Sequence, residues 1–95
     1  MPISSIDRWE ATLTRHYAKD VAAQRVVAYL ARRLRPGNAV ITRSEIALDC
    51  LITTTIAGEI LADIRALGWL TTRQMATQAP RFEPVIPQEA LPEPA

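Results

Sequence analysis

Two hydroxyl-led helix starts stand close together, at Thr42 and Thr53. The few positions between them leave room for a helix of about two turns and a tight turn, and nothing larger. Thr42-Arg43-Ser44-Glu45 has the form of a capping box, in which the threonine oxygen accepts from a backbone N–H three residues on and the glutamate reaches back to the threonine amide. Thr53 opens the run Thr53-Thr54-Thr55 and is placed to cap the next helix. The short helix has Ile46, Ala47, Cys50 and Leu51 inward. The longer one has Ile56, Ala57, Ile60, Leu61, Ile64 and Leu67 inward, and Gly68 ends it.

Two more helical stretches precede this pair. Ser4 and Asp7 supply capping and first-turn chemistry for a helix over about 5–17, on which Ile6, Trp9, Leu13 and Tyr17 form one stripe. His16 falls on its solvated side. Asp20 can cap a second helix, or the first can run on without a break. The second apolar set is Ala23, Val26, Val27, Leu30 and Leu34, closed by Pro36-Gly37. Ala39-Val40-Ile41 is long enough for one small strand. After Gly68, the runs Trp69–Met75 and Arg81–Ile86 are strand-like and joined by five residues, which predicts a hairpin. The segment 87–95, with Pro87, Pro92 and Pro94 beside Glu89 and Glu93, is expected to be a disordered tail.

A chain of 95 residues closes one hydrophobic core, and 48% hydrophobic with 22% charged residues is an ordinary globular composition. The expectation is one domain over 1–86 in a cytoplasmic protein, without a membrane span or a secretory leader. One cysteine and one histidine exclude an internal disulfide and a cysteine/histidine metal cluster. Cys50 is read as a small core residue. The formal charge of +1 averages two unlike parts: up to Pro80 the basic residues are in surplus, and beyond it Arg81 faces Glu83, Glu89 and Glu93. Nearly all of the cations are arginine, which suits phosphate and base-edge contacts, although a GC-rich coding sequence gives the same bias.

The order helix, small strand, short helix, tight turn, longer helix and hairpin, from Ala23 to about Ile86, resembles the winged helix-turn-helix domain of prokaryotic transcription regulators. Thr42, Glu45, Ile46 and Ala47 look like that family's opening of the first motif helix. Cys50 and Ile52 stand at its two buried turn positions, and Thr53 at the cap of its recognition helix. Leu61, Ile64, Gly68, Trp69 and Leu70 match its helix end and entry into the wing. The implied fold is mainly α with a small β-hairpin: a winged helix-turn-helix with an extra N-terminal helix. The family's turn commonly carries glycine where this chain has Leu51, which implies a different turn backbone or a longer first helix.

The resemblance implies contact with double-stranded DNA. On the longer helix Thr53, Thr54, Thr55, Gly58 and Glu59 would face base edges and Arg65 would follow them. Arg43 at the start of the short helix, and Arg73, Gln74, Gln78 and Arg81 on or beside the wing, would flank the duplex. Asp63 shares the outward face with Glu59, so that face carries two carboxylates and no cation before Arg65. Gly58 in a helix interior implies that something needs the space: DNA, a partner helix, or nothing.

The expected function is a sequence-specific DNA-binding regulator, a repressor of plasmid or phage type, acting as a homodimer on a palindromic site. Because the core from Val21 onward has enough apolar residues to close on itself, Ile6, Trp9, Leu13 and Tyr17 are expected at the dimer interface. The alternative is a winged-helix module binding a protein partner, such as a polymerase or replication protein, through that acidic longer helix. No nucleophile–base pair, phosphate loop or metal-ligand cluster is legible, so neither an enzyme nor a cofactor is expected.

Overall fold

Asp20 separates the first two helices. Its carboxylate accepts the Ala23 amide at 3.0 Å, so the chain starts afresh after α1 (Ser5–His16) to form α2 (Val21–Leu34). The computed structural model describes residues 5–73 and 81–86. After α2 come β1 (Ala39–Val40), α3 (Arg43–Cys50), α4 (Thr54–Ala66), β2 (Leu70–Arg73) and β3 (Arg81–Pro84). The fold is mainly helical with a small antiparallel sheet of order β1-β3-β2. The expected hairpin is therefore the larger part of a three-stranded sheet whose third member is the short β1. Ser4, residues 74–80 and the tail over 87–95 lie outside the described residues.

α2 buries Ala23, Val26, Val27, Leu30 and Leu34 as its spacing predicts, and Tyr29 and Ala31 as well. A helix buried over more than one stripe needs neighbours on more than one side. α3 supplies one, through Ile46 and Cys50. α1 supplies another, and here the expected dimer interface is corrected. Trp9 and Leu13 are fully buried and Ile6 nearly so, all in the same cluster as Ile64, Trp69 and Phe82. The Trp9 indole Nε1 donates to the Trp69 carbonyl at 2.6 Å across 60 positions of sequence. Tyr17 is half-buried and its hydroxyl donates to Asp63 of α4. The core from Val21 onward does not close on itself; α1 is one of its walls. His16, expected in solvent, is half-buried with its ring edge-on to Tyr17.

The two helix ends of the central pair are built alike on different residues. After α4, Gly68 at φ 84° turns the chain, with Gly68 N–H to Arg65 C=O at 3.0 Å and Trp69 N–H to Ile64 C=O at 3.3 Å. After α3, Leu51 takes the left-handed conformation at φ 59°, and the amides of Leu51 and Ile52 both donate to Ala47 C=O. The turn thus has the backbone that a glycine would give, neither a different one nor a longer helix. Leu51, expected inward, is 82% exposed; Ile56, also expected inward, is 39% exposed at the start of α4.

Two expectations follow. Trp9→Ala should cost about 3–5 kcal/mol, the range for removing a buried tryptophan, with a urea midpoint that does not change with protein concentration; a concentration-dependent midpoint in the unchanged protein would restore a dimer role for α1. Leu51→Gly relieves a left-handed leucine that buries almost nothing, so it should raise stability by up to about 1 kcal/mol. A clear loss would mean that the leucine side chain makes contacts worth more than the strain.

Candidate nucleic-acid interface

α4 begins on the Thr53 hydroxyl, which accepts the Ile56 amide at 3.1 Å. Thr54 and Thr55 stand exposed in its first turn. The Thr42 hydroxyl likewise accepts the Glu45 amide at 3.2 Å and starts α3. Half of the capping box is therefore present. The Glu45 side chain goes elsewhere: its carboxylate accepts from Arg33 Nη1 at 2.8 Å and from the Tyr29 hydroxyl at 3.3 Å. Arg33 also donates to the Tyr29 oxygen at 2.7 Å and, through Nη2, to Val40 C=O at 3.2 Å. One guanidinium thus ties α2, α3 and β1 together and sets where α3 lies. A fork of five N–H donors can serve three acceptors at once. The hydrogen bond from Arg33 holds the Glu45 carboxyl below the usual range. This strut escaped the sequence reading; its only local trace is Tyr29 and Arg33 one helical turn apart on α2.

The space beside Gly58 is taken by Arg43. A Cβ built on Gly58 would meet Arg43 Cδ at 3.1 Å, Nε at 3.3 Å and Nη1 at 3.3 Å. The side chain that begins α3 therefore lies across the second turn of α4. Both choices are locally unfavourable. Glycine in a helix interior costs about 1 kcal/mol relative to alanine, and a cation in a helix's first turn opposes the dipole by roughly 0.3–1 kcal/mol. Thr54 lies one turn before Gly58 and Arg65 two turns after it on the same stripe, so Arg43 fills a gap in a line of exposed polar residues.

The two carboxylates of α4 lie on another edge. Glu59 and Asp63 line a cleft with Tyr17 and Asp20, at the α1–α2 end of the molecule. Asp63 accepts the Tyr17 hydroxyl there, and burial together with this bond pushes the phenol well above its ordinary pKa. The expectation that Asp63 shares one outward surface with the threonines is corrected; Glu59, exposed one turn after Thr55, borders both that surface and this cleft. Ala62, Arg65 and Ala66 form a shallow groove with Leu70, Thr71 and Thr72 of β2.

On the sheet, Arg73 of β2 stands directly opposite Arg81 of β3. Opposite residues of an antiparallel pair share a face, and like charges there repel. Arg73 Nη2 comes within 3.5 Å of Glu83 Oε1, and Arg81 Nη1 donates to Asn38 Oδ1 at 3.0 Å. Phe82 and Leu70 occupy the inner face. Gln74 and Gln78 lie outside the described residues.

Cys50 is buried, and burial followed by the neighbouring Asp49 raises its thiol above the ordinary value. Among the described residues no three His, Cys, Asp or Glu side chains are grouped to hold a metal ion, and no helix is long and apolar enough to cross a membrane. Neither the family models, nor the curated proteins, nor the solved structures compared with this chain give a match.

The Arg33–Glu45 contact gives a pH test. A carboxylate whose pKa is lowered by folding adds stability above its unfolded pKa of about 4.3, and that stability is lost as pH falls through the folded value. The unchanged protein should melt above Glu45→Gln at pH 7, and the difference should close below about pH 4. A gap that stays constant from pH 7 to pH 3 would show that the charge on Glu45 does not carry the contact.

Proposed function

We propose that this chain is a winged helix-turn-helix protein that binds double-stranded DNA and regulates transcription, with α4 as the recognition helix and the β2–β3 pair as the wing. The observation that carries the reading is the single surface formed by Thr54, Thr55, Arg43 over Gly58, and Arg65. Arg73 and Arg81 stand opposite each other on the adjoining sheet. Hydroxyls at a helix start and guanidiniums beside it suit phosphate and base-edge contacts. Asp63 is drawn from that surface toward Tyr17, which lessens the electrostatic objection to it, while Glu59 stays exposed one turn after Thr55. A module of this size reads few base pairs, so a second copy on a two-fold site completes the reading, acting as a repressor.

A second reading, a module that binds a protein partner, is favoured by one observation. Leu48 and Leu51 are 80% and 82% exposed at the end of α3. Large exposed leucines close in sequence are a usual mark of a protein contact.

Binding to DNA measured by fluorescence anisotropy over a range of salt separates the two. On the DNA reading, affinity falls steeply with salt, and Arg73→Ala or Arg81→Ala weakens binding to every sequence and flattens the slope by about one charge. Thr55→Ala should instead shift sequence preference, with about 1–3 kcal/mol of discrimination at one base pair. Affinity that is flat with salt and indifferent to both arginines would favour the protein-binding reading.

A further inference from the structure

We propose that Gly58 is a seat for Arg43, and that Arg43, held in this notch, is the cation of the α4 surface that contacts the DNA backbone; the inference rests on the DNA-binding reading above. α4 has no basic residue of its own before Arg65. Arg43 starts another helix, yet its side chain crosses to α4 with Cδ, Nε and Nη1 all within 3.3 Å of where a Gly58 side chain would begin. A Cβ there would need the arginine to give by a few tenths of an ångström.

The arginine is also uncommitted. Arg32, Arg33, Arg35 and Arg73 each have a carboxylate within 3.5 Å, whereas among the described residues no acid pairs with Arg43. Its guanidinium is exposed to solvent and lies between Thr54 and Arg65 along the helix. A cation at a helix start and a glycine in a helix interior each go against local preference, and they meet at one contact. Local rules broken together, with no ion pair to compensate, are expected where a surface is shaped for a ligand. The ligand that this arrangement fits is a phosphodiester: a pre-laid guanidinium gives two parallel N–H donors to phosphate oxygens with little ordering left to do on binding.

Two measurements on the full chain test this. The first needs no DNA. Alanine at position 58 should raise Tm by about 4–8 °C in an Arg43→Ala background, where its methyl meets open space, and by clearly less when Arg43 is present and is pressed out of its seat. Equal gains in both backgrounds would overturn the seat. The second uses a pool of random-sequence duplexes at several salt concentrations. Arg43→Ala should weaken binding about tenfold near physiological salt and flatten the log–log salt slope by about 1, and Arg43→Lys should recover only part of the affinity. Gly58→Ala should weaken binding a few-fold with Arg43 present and leave it unchanged in Arg43→Ala. If Arg73→Ala reduces binding and Arg43→Ala does not, this proposal fails and the DNA reading survives. If the unchanged protein binds no duplex at low salt, both fail.

Discussion

The carbonyl of Trp69 is the point on which the arrangement of helices and sheet depends. It accepts the Trp9 indole N–H and the Val85 amide, so α1, the exit from α4 and the continuation of β3 meet at one oxygen. The indole is fully buried, and an indole N–H left unpaired in that position would cost about 1–3 kcal/mol. The surrounding apolar contacts of Trp9 with the common core add more than the bond itself. The consequence reaches the opposite side of the molecule. α4 shows its threonines to solvent because its other side, through Ile64 and the Gly68-Trp69 turn, is held by a helix from the far end of the sequence.

The arginines divide into two populations by their neighbours. Those at the end of α2 and on its cap are committed: Arg32 to Asp49, Arg33 to Glu45 and Arg35 to Asp7. Exposed pairs of this kind contribute little each, but they neutralise that flank and join α2 to α3 and α1. Arg43 and Arg65, beside α4, have no such partner among the described residues. Arg8, Arg15, Lys19 and Arg25 have none either, so pairing neutralises one flank without gathering all the free cations at α4. A formal charge near zero hides a surface on which the unpaired cations beside α4 and the Asp63 carboxylate lie on different sides of one helix.

What was legible in the sequence is what is decided locally. The caps at Asp20, Thr42 and Thr53, the apolar set of α2 and the stop at Gly68 each follow from the chemistry of a few adjacent residues, and the structure has all of them. What was illegible depends on distant partners. The spacing of Ile6, Trp9 and Leu13 identifies a stripe that must be buried and cannot say against what; a second copy and the chain's own core satisfy it equally. Glu45 stands at the position of a capping box, but a charged donor on α2 outcompetes a backbone amide for its carboxylate. Leu51 holds a backbone for which glycine is the usual signal. At the candidate interface the residue types were found in sequence, whereas their grouping was not: that Arg43 joins Thr54 and Arg65 while Asp63 turns to Tyr17 is a matter of which element lies alongside α4.

The strand order has a consequence for how the molecule is made. β3 is the middle strand, so β1 and β2 touch the sheet only through a segment that comes after both. Phe82, the buried residue of that strand, and Trp69, the acceptor for Trp9, are synthesised long after the helices that they complete. A nascent chain that has reached α4 can form helices but not the assembled core, because loops spanning most of the sequence must still close. α1 can pack on α2, its main partner, as soon as both have left the ribosome, while the Trp9 indole N–H waits for the Trp69 carbonyl. The last strand completes the core around a helix pair, α1 on α2, that is already adjacent in sequence.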